Sequence, residues 1–228
     1  MEKEKISIVI PTLNEEKNLK IVLPQLVKFM NDRGFRYEII IVDGYSEDKT
    51  VDVTKKFGAV ILFDNKGKGS AIRKGLKWAK GDIIVTMDAD CSHSINEIGL
   101  LIEGIRTGYD ICMGSRFIQG GGTNDMPLIR KIGNKFFVFL VNFFWGMRYS
   151  DLCYGYRSFR RSVVRRIDLR RDGFGIETEI SIQAAKKHLK VLEVPSFEKA
   201  RKYGKGKLRS IRDGFNILKT ILMELFRG

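Results

Sequence analysis

The chain has 228 residues, of which 43% are hydrophobic, and it carries 41 Lys and Arg against 27 Asp and Glu. This length and apolar content exclude a disordered chain and suffice for a sizeable core. The net charge of +14 falls wholly on residues 116–228, because residues 1–115 hold 17 basic and 17 acidic side chains. A basic excess in one half predicts an anionic partner there: nucleic acid, an anionic membrane surface or a phosphorylated substrate.

Short apolar segments alternate with segments of helical period along the first half. The apolar segments, typical of buried parallel strands, are residues 6–10, 37–42, 59–63, 82–87 and 109–113. The helical segments are residues 15–32, 48–57, 70–79 and 95–106, and Pro24 is expected to kink the first. The alternation predicts an α/β fold with a mostly parallel sheet flanked by helices.

The second half has a less regular pattern. Helices are predicted over residues 128–145, 177–187 and 211–226, and a short strand over 191–194. The stretch 136–145 is apolar on nearly every side but is too short to cross a bilayer. Since no linker separates independent units, we expect a single domain over residues 1–228.

Polar residues at strand ends are the candidates for chemistry, because parallel α/β sheets bind ligands there. Asp88 and Asp90 follow the strand 82–87, and residues two apart in an extended chain face the same side. Two such carboxylates suit Mg²⁺ or Mn²⁺ shared with substrate phosphates, although they could instead cap the next helix. Dinucleotide-binding and P-loop motifs are absent, which argues against an NAD-type oxidoreductase and a P-loop NTPase.

Two other loops leave alternatives open. Asp43 either hydrogen-bonds a base or ribose or forms an Asp-Gly turn with Gly44. Lys68 lies in the sequence Lys-Gly-Lys-Gly before a helix, where it could bind an anion or belong to a flexible surface turn. The two histidines, His93 and His188, lack metal-ligand spacing.

These motifs resemble a known family. Residues 8–15 (Ile-Val-Ile-Pro-Thr-Leu-Asn-Glu), 41–50, 65–71 and 87–90 are similar to family 2 glycosyltransferases of the GT-A fold. Five further segments resemble the dolichyl-phosphate mannose synthase branch of that family: residues 114–117, 151–161, 173–177, 194–195 and the basic stretch up to 208. The resemblance implies a Rossmann-like GT-A catalytic domain with a nucleotide-sugar half (1–115), an acceptor half with a basic loop (116–210) and a C-terminal amphipathic helix (211–228).

The resemblance also implies the donor site. Its donor-binding residues are Pro11, Leu13, Glu15, Asp43, Lys68, Asp88, Ala89, Asp90, Arg201 and Lys202. Asp90, with Ser92 as a further candidate, would ligate the Mg²⁺ or Mn²⁺ that bridges the diphosphate, and Arg201 or Lys202 would contact that diphosphate. Leu13 departs from the family pattern, because many relatives carry a Tyr there, and Ser92 stands where mannose synthases often have Gln.

On the acceptor side the resemblance implies polyprenyl or dolichyl phosphate, with Arg116, Arg130 and Asn134 at its phosphate and Glu177 near the sugar. Asp88, Asp90, Arg116 and Arg130 would be the catalytic residues. A phosphate monoester has a second pKa near ~6, so the acceptor is already a nucleophile and needs no general base.

The implied reaction is an inverting transfer of a hexose, mannose favoured, from a nucleotide sugar to the lipid phosphate. GDP-mannose is the favoured donor and UDP-glucose the second. One alternative is a saccharide acceptor, which would make Glu177 the base. A more distant alternative is a basic nucleic-acid-binding module, which would not need Asp90, and we expect no nucleic-acid partner.

A membrane surface is the remaining expected partner. The last predicted helix places five apolar residues on one stripe, which suits either an in-plane membrane helix or packing against the sheet: Ile211, Phe215, Leu218, Leu222 and Leu225. Relatives often continue into transmembrane helices, whereas this chain ends at Gly228, so we expect surface adhesion or a membrane-anchored partner. Three cysteines without paired spacing favour a reducing compartment, and we expect a cytoplasmic enzyme peripheral to the membrane.

Overall fold

The computed structural model describes residues 4–207 and 209–227, in which a seven-stranded sheet forms the centre. In chain order the strands are Lys5–Thr12 (β1), Arg36–Asp43 (β2), Val60–Phe63 (β3), Ile83–Thr86 (β4), Ile111–Ser115 (β5), Gly122–Thr123 (β6), Arg157–Arg160 (β7), Val191–Pro195 (β8) and Phe197–Glu198 (β9). The sheet order is β3-β2-β1-β4-β7-β5-β8, and β6 pairs with β9 separately. Only the pairings of β7 are antiparallel in the described sheet, so the predicted mostly parallel α/β sheet is confirmed.

Helices cover both faces of the sheet. They are Glu16–Asp32 (α1), Thr50–Lys55 (α2), Lys68–Trp78 (α3), Ile98–Arg106 (α4), Leu128–Trp145 (α5), Arg161–Val164 (α6), Ile176–Lys186 (α7) and Ser210–Leu225 (α8). The alternation of side chains along β1 explains the two layers. Ile8 and Ile10 pack with α1 and α4, whereas Val9 packs with α3 and α7 on the opposite face.

All predicted helices and strands occur, with ends shifted by one to a few residues. Helix α1 continues through Pro24, and residues Ile95–Glu97 form a 3₁₀ turn before α4 rather than part of the same α-helix. Among the described helices, none is both long and apolar enough to span a bilayer.

Strand β7 was not predicted from the sequence, since it carries an arginine at each end. Arg157 is nevertheless only 1% exposed, between β4 and β5. Its guanidinium donates hydrogen bonds of 3.0 Å to the carbonyls of Leu152 and Tyr154 and to Ser181 Oγ. Burial lowers the pKa of Arg157. Two of these acceptors belong to the irregular segment just before β7 and the third to α7, so the hydrophobic pattern of the strand itself does not reveal it.

Helix α8 packs on α5 and α7 through a stripe other than the predicted one. Its buried residues are Ile217, Thr220, Ile221 and Glu224. Ile211 and Phe215 of the predicted stripe are 68% and 69% exposed. The helix therefore packs on neighbouring helices and still leaves apolar residues at the surface.

Candidate active site

The carboxyl ends of β1, β2 and β4 open into a cavity of about 670 Å³, which α5, α8 and the basic segment 201–207 complete. The parallel register pairs Thr12 with Asp43, so the loops after β1 and β2 lie side by side. The predicted site residues that line the cavity are Pro11, Leu13, Glu15, Lys68, Asp88, Ala89, Asp90, Arg116, Arg130, Asn134, Glu177 and Arg201. Asp43, Ser92 and Lys202 lie outside this lining.

Asp90 is held from two sides. Its Oδ1 accepts hydrogen bonds from the Ser92 hydroxyl at 2.5 Å and the Ser92 N–H at 3.1 Å. Its Oδ2 lies 3.1 Å from the Arg201 guanidinium, which also binds both carboxylate oxygens of Glu15. Burial opposes the charge of Arg201, but Asp90 and Glu15 outweigh it and raise the pKa of that guanidinium. Of the two basic-loop candidates, Arg201 places its side chain in the cavity, whereas Lys202 is exposed.

The oxygen donors at this place fit an open metal site. Asp88 and Asp90 offer carboxylate oxygens, the hard ligands that Mg²⁺ and Mn²⁺ prefer, whereas the Ser92 hydroxyl lies outside the cavity lining and donates to Asp90. Within residues 4–207 and 209–227, no group of three or more His, Cys, Asp and Glu suits a metal ion. A metal ion held by Asp88 and Asp90 would need substrate phosphates and water to complete its coordination.

Lys68 joins the two sides of the cavity. Its ammonium lies 2.8 Å from Asp88 Oδ1 and 2.9 Å from Glu177 Oε1. Burial opposes this charge, but the two carboxylates outweigh it and raise the pKa of Lys68. Burial also favours the neutral acid of Asp88, yet Lys68 holds the pKa of Asp88 below its ordinary value. Lys68 and Asp88 are therefore a charged pair at neutral pH.

The glycines around Lys68 serve close packing. The N–H groups of Gly69 and Ser70 donate to the Asp172 carbonyl at 2.7 and 3.2 Å, so they are already paired. A Cβ on Gly69 would lie 2.3 Å from the Arg171 carbonyl oxygen. The Gly69 and Ser70 amides therefore bind the protein's own carbonyl, whereas Asn65, Gly67 and Lys68 line the cavity.

Asp43 organises its own loop. The side chain is fully buried, and its oxygens accept hydrogen bonds from the Ser46 N–H at 2.7 Å, the Ser46 hydroxyl at 2.6 Å and the Thr12 hydroxyl at 2.8 Å. The adjacent Gly44 lines the cavity instead. Asp43 thus shapes the edge of the cavity through the Asp43–Ser46 turn.

Arg116 is paired with two carboxylates that the sequence did not reveal. Its Nε and Nη2 donate to Asp151 at 2.7 and 2.9 Å, and its Nη1 donates to Glu198 at 3.1 Å. The Arg116 side chain is 4% exposed and that of Asp151 is fully buried. Burial opposes the charge, but these carboxylates outweigh it and raise the pKa of Arg116. Arg130 lies at the same cavity and donates to Ser210 Oγ at 3.0 Å.

The side-chain amide of Asn134 has a hydrogen-bonded oxygen and a nitrogen without a hydrogen-bond partner among the described residues. Its Oδ1 accepts from the N–H groups of Leu152 and Cys153, both at 3.2 Å. Its Nδ2 is buried and has no hydrogen-bond partner among the described residues. An unpaired buried donor is unfavourable by roughly 1–3 kcal/mol, so a donor at the cavity wall favours an acceptor on a ligand.

The cavity continues from these charged groups into an apolar channel between α5 and α8. The apolar residues of that channel are Met126, Ile129, Phe136, Phe137, Ile211, Phe215, Ile217 and Leu218. One continuous space therefore has a charged end at the strand tips and an apolar end between two helices.

Comparison with known proteins assigns this arrangement to a family. Residues 7–168 match Glycosyl transferase family 2. The chain belongs to that family. Dolichol-phosphate mannosyltransferase of Pyrococcus furiosus is 35% identical over 90% of this chain, which spans 59% of that relative's length. An uncharacterised protein of Methanocaldococcus jannaschii is 31% identical over 97% of this chain and 93% of its own. Glycosyltransferase AglJ of Haloferax volcanii is 30% identical over 97% of this chain and 71% of its own length.

Solved structures confirm the GT-A fold of this family 2 glycosyltransferase. Glucosyl-3-phosphoglycerate synthase of Mycobacterium tuberculosis, in complex with Mn²⁺, UDP and glucosyl-3-phosphoglycerate, superposes with a TM-score of 0.78 at 19% identity. The match covers 99% of this chain and 81% of that one. Another complex of that enzyme, with Mg²⁺ and UDP, gives a TM-score of 0.76.

Proposed function

We propose that this glycosyltransferase moves a hexose, mannose favoured, from a nucleotide sugar to polyprenyl or dolichyl phosphate with inversion. The observation that carries the proposal is the single cavity with a carboxylate-rich end and an apolar channel. A sugar nucleotide needs the polar end, and a prenyl chain needs the apolar one. The name of the Pyrococcus furiosus relative supports the same acceptor and sugar.

The donor half is assigned to residues 1–115, and Arg201 contacts it at Glu15 and Asp90. Asp90 would hold Mg²⁺ or Mn²⁺, with Ser92 steadying its carboxylate, and the complexes of the mycobacterial enzyme support such an ion. When bound, the ion stabilises the charge of the departing diphosphate. Arg201 supplies a second cation for that diphosphate and exchanges its contact with Asp90 for one with phosphate. GDP-mannose is the favoured donor, and UDP-glucose is the second because the mycobacterial enzyme binds UDP.

The acceptor half is assigned to residues 116–210. Arg130 and the unpaired Nδ2 of Asn134 would bind the lipid phosphate, and Arg116, whose charge is balanced by Asp151 and Glu198, would shape the adjacent cavity wall. These groups align a phosphate oxygen with the anomeric carbon. A monoester is largely dianionic at neutral pH, so no side chain has to remove a proton. Glu177 is already paired with Lys68, which suits sugar binding better than base catalysis.

A membrane surface completes the proposal. Phe139 and Phe143 of α5 are 63% and 70% exposed, and Ile211 and Phe215 are exposed on α8, which packs on α5. Exposed cations accompany them on both helices: Lys131, Lys135, Arg212 and Lys219. Anionic lipid contributes about 1 kcal/mol for each such cation near its surface. The enzyme would act at the cytoplasmic face as a peripheral protein, alone or with a membrane-anchored partner.

The test is transfer to a defined acceptor. The protein is incubated with polyprenyl monophosphate in detergent, Mg²⁺ or Mn²⁺ and a panel of labelled nucleotide sugars, and the lipid is then extracted. We expect label in the lipid phase with one donor, and its loss with EDTA and in Asp90→Ala. Asp52→Ala, the same change at an exposed residue of α2, is the matched control. Absence of lipid-bound label with every donor would contradict the proposal.

A further inference from the structure

We propose that His93 is a positioning residue, which holds the main chain of Asp88 in place and faces its carboxylate at the donor end of the cavity. The inference rests on the proposed donor role of Asp88. The decisive geometry is that both ring nitrogens of His93 face the same residue. The Asp88 N–H donates to His93 Nδ1 at 3.1 Å, and His93 Nε2 lies 4.0 Å from Asp88 Oδ2.

The loop that carries Asp88 needs such a support. Residues 87–94 belong to no helix or strand, and the hydrogen bond of the Met87 N–H to the Val9 carbonyl at 3.1 Å is the last that continues the pairing of β4 with β1. Cys91 within the loop has a φ of +67°, a left-handed conformation that is unfavourable for a residue other than glycine. A loop with this backbone keeps one shape only if surrounding contacts impose it.

The imidazole itself is immobilised. It stacks on the Tyr156 ring with 4.4 Å between centroids and an interplanar angle of 8°. The Tyr154 ring meets it edge-on at 4.9 Å and 82°. The Tyr156 hydroxyl donates to the Ser94 carbonyl at 2.8 Å, and that of Tyr154 lies 3.0 Å from Ser196 Oγ. With its side chain 1% exposed, His93 has no freedom to turn its nitrogens away from Asp88.

Packing alone does not require a histidine here. A phenylalanine ring would fill the same stack between the tyrosines without burying two polar nitrogens. Histidine adds an acceptor for the Asp88 N–H. Because Nδ1 accepts this hydrogen bond, the proton of the neutral ring lies on Nε2, which faces the carboxylate. Without it the Asp88 N–H is unpaired, and Lys68 at 2.8 Å is the strongest remaining restraint on the carboxylate. The Asp88 main chain would then lose its fixed position, while the carboxylate stays paired with Lys68, which contacts its two oxygens at 2.8 and 3.0 Å.

Two substitutions separate positioning from packing. His93→Phe keeps the stacked ring and removes the acceptor, whereas His93→Asn loses the ring but places Oδ1 where Nδ1 was. Loss of a residue that supports a metal-binding side chain commonly lowers metal affinity or activity by about 10–100-fold. We therefore expect about that loss in kcat and in Mn²⁺-dependent affinity for GDP or UDP in His93→Phe. Acceptor KM should stay unchanged. His93→Asn should retain more activity than His93→Phe while melting at a lower temperature, the opposite order to that of a packing residue.

Calorimetry with GDP and UDP in Mn²⁺, steady-state kinetics and thermal melting give these values, with His188→Asn at the exposed histidine as control. His93→Phe with wild-type affinity, or His93→Asn no better than His93→Phe, overturns the inference. Asp88→Ala is the reference variant. If Asp88→Ala binds nucleotide normally, the proposed donor role of Asp88 is wrong. If Asp88→Ala loses nucleotide binding but His93→Phe does not, only the proposed role of His93 is wrong. Should His93→Phe unfold, the ¹⁵N shifts of the wild-type imidazole decide, since a proton on Nδ1 would overturn the assignment.

Discussion

Replacing Arg116 by Ala should unfold the protein more easily as well as weaken acceptor use. The guanidinium is the cationic partner of Asp151, which is fully buried, and of Glu198, whose side chain is 17% exposed. Removing one partner of a buried pair typically reduces stability by about 3–5 kcal/mol, because the other charge stays buried without compensation. We therefore expect that loss for Arg116→Ala in the free energy of unfolding, measured by urea denaturation.

A second variant isolates the cause. In Arg116→Ala/Asp151→Ala the fully buried carboxylate is gone and only the partly exposed Glu198 lacks its arginine, so much of the lost stability should return, although the main-chain N–H of residue 116 loses its acceptor on Asp151. Recovery in the double variant supports the burial of an unpaired charge as the source of the loss. A loss below about 1 kcal/mol in the single variant, or simple addition of the two single losses, would refute the reasoning.

Four further outcomes follow from the site. Asp90→Ala should lose Mn²⁺-dependent nucleotide binding in calorimetry with unchanged circular dichroism, and retained binding would remove Asp90 from the metal site. Arg130→Ala should raise acceptor KM about 10–100-fold, since hydrogen bonds to charged groups contribute about 1.5–3 kcal/mol, and an equal loss of donor affinity would place it on the donor side. Glu177→Gln should keep most activity, because removal of a general base would lower kcat by about 10²–10⁴. Phe215→Ser should reduce flotation with anionic vesicles whereas Trp78→Ser, at the far end of α3, should not, and equal flotation of both would exclude α8 as the contact.

Most of the sheet is predictable from the sequence because its strands, of which the central ones are buried, read as short apolar runs between helical segments. β7 is the exception. Arg157 occupies an interior strand only because the carbonyls of Leu152 and Tyr154 and the hydroxyl of Ser181 satisfy its guanidinium. That compensation depends on tertiary structure, so the hydrophobic pattern of residues 157–160 does not contain it.

The candidate site was predictable where position along a strand decides the outcome. Asp88 and Asp90 follow β4, and the structure places both at the cavity. Pairings between distant residues were not predictable: Arg116 meets Asp151 and Glu198 across 35 and 82 residues of sequence. His93 lacks metal-ligand spacing, and its contact with Asp88 depends on a loop conformation. Asp43 lies at the predicted end of β2, but its side chain points into its own loop, where it accepts hydrogen bonds from Thr12 and Ser46.

The C-terminal helix changes how membrane binding has to be measured. Deleting residues 211–228 would expose the core that Ile217 and Ile221 bury against α5 and α7. It would also remove Arg227, which lies 2.6 Å from Glu224 and 3.4 Å from the buried Glu179. A truncated protein would therefore lose stability together with any membrane contact. Single changes at exposed residues such as Phe215 separate the two effects.

The most direct test of the central claim compares two lipids that differ only in the nucleophile. Wild type and Glu177→Gln are each given polyprenyl monophosphate or the corresponding polyprenol, with the accepted nucleotide sugar and Mg²⁺ or Mn²⁺, and label in the extracted lipid is counted. A phosphate nucleophile needs no base, so we predict transfer to the monophosphate by both proteins and none to the alcohol. Transfer to polyprenol, or loss of transfer in Glu177→Gln by the 10²–10⁴-fold that removal of a base brings, would contradict the account.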